Sequence, residues 1–70
     1  MGLKYKYLKL RGRIIEKFGS QGKFAEAIRL SENSVSKKLT GNSGFSQEDI
    51  EKWSYLLEIS KEEYGLYFFA

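Results

Sequence analysis

The sequence predicts an all-α fold, a compact five-helix bundle in a single domain spanning residues 1–70. Three observations carry this. The chain contains no proline, so nothing bars helix interiors. Its apolar residues recur at helical rather than alternating spacing. Ser and Gly fall between the apolar stripes, where helices start and stop.

The first helix is expected from Tyr5 to Phe18, because Tyr7, Leu10, Ile14 and Phe18 form one stripe. Lys6, Lys9, Arg13 and Lys17 lie off that stripe, and Gly19 supplies a left-handed stop. Before it, Leu3 to Tyr7 alternates apolar and basic residues, so a short extended arm is a second option there. Ser20 is the expected N-cap of a second helix, with Phe24, Ala25 and Ile28 turned inward. Lys23 stands where a capping box would have Glu or Gln. A cation there opposes the helix dipole, unless that end meets a phosphate.

Arg29-Leu30-Ser31 leaves room only for a tight turn, and Ser31 caps a third helix running to about Leu39. Val35 and Leu39 face inward. At about 100° per residue, Asn33, Lys37 and Thr40 then point outward with Ser36 beside them. Gly41 ends the helix, and Asn42-Ser43-Gly44 is a loop. Ser46 caps a fourth helix, with Glu48 and Asp49 in its first turn and Ile50, Trp53, Leu56 and Leu57 as its buried stripe. Ser60 and Glu63 form a capping box for a short fifth helix around Lys61–Tyr64, ended by Gly65. Leu66 to Phe69 remain as an apolar tail that either folds back on the core or meets a second copy.

Charge is unevenly spread. Residues 1–23 carry Lys4, Lys6, Lys9, Arg11, Arg13, Lys17 and Lys23 against Glu16 alone, whereas residues 46–70 carry six acids against Lys52 and Lys61. A basic front and acidic back suit a chain that presents one side to a polyanion, or simply solvated helix faces. Without Cys or His, zinc sites built on them and catalysis through them are excluded, and no carboxylate pair sits with a base or nucleophile. An enzyme is therefore not expected, nor a cofactor, a metal or a small-molecule substrate. The longest apolar run, Leu66 to Ala70, is far below the roughly 20 residues that span a bilayer. With no secretory signal visible, the expected address is the cytoplasm of a bacterial host, at the nucleoid when bound to DNA.

Two short helices joined by a tight turn make a helix-turn-helix, whose second helix fits the major groove of DNA. Small Ala25 lets the pair cross closely. Asn33, Ser36, Lys37 and Thr40 give the second helix a hydrogen-bonding face, and its N-terminal end adds Glu32 and Ser34.

The stretch from Gln21 to Gly41 resembles the phage Cro and repressor type of helix-turn-helix. The matching points are Gln21, Phe24, Ala25, Ile28, Leu30, Ser31, Val35, Ser36, Lys37 and Gly41. More loosely, most of the chain is similar to small Cro-like proteins of phages and prophages of Gram-positive bacteria, through Leu10 to Gly19 and Tyr67-Phe68-Phe69. The resemblance implies a lambda-repressor-like bundle. It implies base reading by Glu32, Asn33 and Lys37, with Ser34 and Ser36 beside them. It implies phosphate contact by Gln21 and Thr40, to which Lys23, Lys38 and Asn42 are added. Chemically, Asn pairs with adenine, Lys with guanine, and Glu accepts from cytosine. Two departures stand out. Arg29 occupies a position where the family commonly has a turn Gly, so a left-handed backbone or a shifted helix end is expected. Lys38 stands where an apolar residue is common, with Leu39 taking the core contact.

Two functions follow. The first is a sequence-specific DNA-binding regulator, a Cro-like repressor in a phage or prophage switch, reading a double-stranded operator through residues 32–39, as a monomer or a homodimer. The alternative is an antirepressor that docks on a partner repressor protein instead of, or in addition to, DNA.

Overall fold

The computed structural model describes residues 7–69 of the chain. Helix α1 spans Leu8–Phe18, α2 Gln21–Ile28, α3 Glu32–Leu39 and α4 Gln47–Leu57; a 3-10 turn at Lys61–Glu63 leads into α5, Tyr64–Phe68. Helices α1, α2 and α4 pack on one another, α3 packs on α2, and α5 closes over α1 and α4. The all-α five-helix bundle is therefore as expected. No helix among the described residues is long and apolar enough to cross a membrane.

The serine caps set the helix starts. Ser20, Ser31 and Ser46 accept from the backbone N–H groups of Lys23, Ser34 and Asp49, and Asp49 reaches back to the Ser46 N–H in a capping box. The Glu63 carboxylate accepts from the Ser60 N–H at 3.2 Å. Gly19 and Gly41 end α1 and α3 at φ 88° and 87°, where a Cβ would be strained.

Two boundaries differ from expectation. Tyr7 is left-handed (φ 59°, ψ 41°), so α1 begins at Leu8 rather than Tyr5. That conformation accompanies the edge-on contact of the Tyr7 ring with Phe45 (centroids 5.3 Å). The rest of the alternating arm, Leu3 to Lys6, lies outside the described residues. At the other end Gly65 does not stop a helix but lies inside α5. A glycine there costs about 1 kcal/mol of helix propensity. Burying Tyr67 and Phe68, two large side chains, outweighs it at roughly 1.5–3 kcal/mol each. The apolar tail thus folds back, although Leu66 and Phe69 stay exposed.

Leu10, Ile14, Phe24, Val35, Leu39, Trp53 and Leu57 are the most deeply buried side chains. Trp53 takes Phe24 and Phe45 edge-on at 4.8 and 4.9 Å, and Phe45 continues to Phe68 at 5.2 Å. Each such pair is worth about 0.5–1.5 kcal/mol beyond its buried area. The Trp53 indole N–H and the Ser54 hydroxyl are buried with no partner among the described residues.

Candidate helix-turn-helix interface

The turn between α2 and α3 is made by Arg29, which is left-handed at φ 64°, ψ 40°, the first of the two outcomes expected at its place in the motif. The Leu30 N–H then reaches the Ala25 carbonyl at 3.0 Å, and Ser31 opens α3. Ala25 is buried at the α2 side of the pair. Val35 and Leu39 are buried beneath α3, which fixes its rotation and leaves Asn33 and Lys37 exposed.

The other residues of this face are more committed. The Ser31 hydroxyl donates to Ser34 Oγ at 3.0 Å, and Ser34 and Ser36 are half-buried. Thr40 Oγ1 donates to the Lys37 carbonyl at 3.1 Å, and the Asn42 N–H reaches the same oxygen at 2.9 Å, so both close the end of α3. Gln21 is half-buried at the start of α2, and Lys23 is exposed. Lys38, expected as a phosphate contact, is turned away from the outer face. Its ammonium pairs with Asp49 Oδ2 at 2.8 Å and donates to the Gly44 carbonyl at 3.2 Å, tying α3 to the start of α4. Burial works to raise the Asp49 pKa, but the hydrogen bonds from Lys38 and Ser46 prevail and hold it below its ordinary value.

Glu32 has a particular position. A Cβ built on Gly22, in the first turn of α2, would lie 3.2 Å from Glu32 Oε2. The carboxylate therefore lies against the N-terminal turn of α2. It is favourable there against the dipole, but it places negative charge where a docking phosphate would come.

The basic front is largely spent inside the molecule. Arg13 donates to the Leu57 and Glu58 carbonyls, both at 2.8 Å, so its guanidinium closes the C-terminus of α4. Lys17 pairs with Glu58 at 3.0 Å; that hydrogen bond, and the Lys17 charge, hold the Glu58 carboxyl below its ordinary value. Arg11 donates to the Leu39 carbonyl at 3.3 Å, and Lys9 lies 5.3 Å from the centre of the Tyr67 ring. Lys4 and Lys6 lie outside the described residues. On the helix-turn-helix face this leaves Lys23 and Lys37 as the cations with no ion pair among the described residues. No cluster of three His, Cys, Asp or Glu that could hold a metal occurs among the described residues.

Compared with known proteins, the chain matches over residues 3–70 the family described as "Protein of unknown function (DUF739)". It is also similar to the solution structure of the modulator of repression (MOR) of the temperate bacteriophage TP901-1 from Lactococcus lactis. The identity is 39% and the TM-score 0.85, over 96% of this chain and 90% of that one. That neighbour is a phage modulator of repression, in keeping with the expected phage-regulator context. No curated protein matches the chain.

Proposed function

The chain belongs to the DUF739 family, and from that premise we propose that it is a phage or prophage modulator of repression, acting without catalysis by binding a partner repressor protein. The observation that carries this is the 39% identity and 0.85 TM-score to the phage modulator of repression over nearly the whole chain.

The electrostatics of the helix-turn-helix support it. A protein that neutralises phosphates through about 6–10 contacts needs a matching set of free cations. Here Lys23 and Lys37 are offered, Lys38 is paired with Asp49, and the Glu32 carboxylate lies on the α2 turn that would meet the backbone. The motif then serves chiefly as scaffold.

A second reading, direct DNA binding, is favoured by one observation: Asn33 and Lys37 are exposed on a serine-capped helix in helix-turn-helix arrangement with α2. In that reading Glu32, Asn33, Ser34, Ser36 and Lys37 face base edges, and Gln21, Lys23, Thr40 and Asn42 face phosphates. A fluorescence-anisotropy titration separates the two. Labelled operator DNA is titrated with this chain, with the repressor encoded beside it, and with both, at two salt concentrations. The modulator reading expects no selective binding by the chain alone and loss of the repressor–DNA complex when it is added. Tight, selective and steeply salt-dependent binding by the chain alone would replace it with the DNA reading.

A further inference from the structure

At the far end of α2 from Gln21, the last turn of that helix and the middle of α4 enclose an open groove of about 390 Å³. Ala27, Ile28, Tyr55 and Leu56 form its apolar part. Tyr55 is 84% exposed, so the ring stands in solvent beside the groove. Tyrosine is enriched among the residues that dominate binding energy at protein interfaces.

Arg29 stands at the rim of this groove, and its backbone is strained. Non-glycine residues at positive φ are uncommon, and such strain persists where the surroundings compensate it. The other two cases among the described residues are compensated by their side chains. Tyr7 packs edge-on against Phe45, and Glu58 pairs with Lys17. The Arg29 backbone N–H reaches the Glu26 carbonyl at 3.2 Å, as any residue's would, but its side chain makes no hydrogen bond, ion pair or ring contact among the described residues, so glycine would satisfy the turn equally well from inside the molecule. Lys52, also at the rim, has no ion pair among the described residues either, and the acid in the groove's lining is Glu51. The fold brings Arg11, Arg13, Lys17 and Lys38 to carbonyls or carboxylates. At this groove it holds two in solvent beside exposed apolar surface.

We propose that this groove is the docking site for an amphipathic helical segment of the partner repressor, which seats apolar side chains against Ala27, Tyr55 and Leu56 and places a carboxylate on Arg29. The proposal rests on the modulator reading above and names the surface that serves it. The apolar part fits one face of a helix. The excess of cations selects acidic flanks on the occupant, and the Arg29 guanidinium offers a bidentate fork for a carboxylate. Arginine at a glycine-favouring position is then accounted for by the partner.

The test is isothermal titration calorimetry of the full chain with the purified repressor encoded beside it, together with the melting temperature of each variant. Arg29→Gly is expected to raise the melting temperature while weakening repressor binding about tenfold. Tyr55→Ala is expected to weaken binding about 30-fold at an unchanged melting temperature, because the side chain is exposed. Asn33→Ala, on the outer face of α3, should bind as the parent does. If Arg29→Gly and Tyr55→Ala both bind as the parent while Asn33→Ala does not, the modulator reading stands and the groove proposal is overturned in favour of the α3 face. If Tyr55→Ala leaves repressor binding intact but abolishes a dimer of this chain, the groove is a self-interface and the proposal is equally overturned. If the parent chain itself does not bind the repressor, the modulator reading fails and the groove proposal falls with it.

Discussion

The cations of α1 and those at the α2–α4 groove carry the same charge to opposite ends. Arg13 and Arg11 close the C-terminal ends of α4 and α3 through carbonyls, and Lys17 pairs with the Glu58 carboxylate. The Arg29 and Lys52 side chains have no ion pair among the described residues. A run of basic residues in sequence therefore does not locate a polyanion-binding face. Backbone carbonyls at helix ends compete for those side chains, and in a chain this small several helix ends lie within reach of one helix. What remains after that competition is a better guide to where a partner binds than the linear charge count.

The comparison breaks most directly at Arg13. Arg13→Met should cost about 2 kcal/mol, because two charge-assisted hydrogen bonds to the end of α4 are lost. Lys52→Met should stay within roughly 0.5 kcal/mol of the parent, as surface changes away from special features do. Urea denaturation of both variants checks this, and equal losses would erase the distinction between the two groups of cations.

Arg29→Gly sharpens the contrast from the other side. It should stabilise by about 1 kcal/mol through relief of the left-handed backbone at φ 64°. A destabilised variant would show that the side chain is held from within after all.

A third prediction concerns the Lys38–Asp49 tie. The folded-state pKa of Asp49 is depressed, so its contribution to stability is complete above its unfolded value of 3.8 and lost as pH falls through the lower folded value. Asp49→Asn should therefore flatten the acid limb of a stability–pH curve and leave its slope near neutrality unchanged. The smallest expected effect is at Glu32. Glu32→Gln should raise the affinity for any duplex DNA a few-fold at low salt, without sequence preference, by removing negative charge from the α2 turn. A fall in affinity, measured by anisotropy, would restore Glu32 as a base-reading residue.

The helices were largely legible because their signals are local. Ser20, Ser31 and Ser46 each cap a helix three residues from the N–H they accept, and the apolar stripes of α1, α3 and α4 lie within single helices. Arg29 was legible through the resemblance, which puts a turn Gly at its position and leaves a left-handed backbone or a shifted helix end, and the chain takes the first. The inward use of Arg13 was not, since its partners are 44 and 45 residues away and are carbonyl groups that every residue carries. Phe45 was missed for a related reason. It lies in the loop before α4, outside any helical period, yet its ring touches Tyr7, Trp53 and Phe68. Gly65 misled because its local preference is overridden by the burial of Tyr67 and Phe68. Lys38, expected as a phosphate contact, is spent on Asp49, and that pairing depends on where the loop delivers α4.

The chain's one tryptophan, Trp53, is wholly buried and ringed by aromatic edges, one residue from Lys52 and two from Tyr55. Its emission should be blue-shifted when folded and move to the red as the bundle opens, so the protein carries an intrinsic optical reporter. Because the indole shares helix α4 with the groove, the same signal offers a label-free view of events at that rim, in the native chain and at concentrations far below those calorimetry needs.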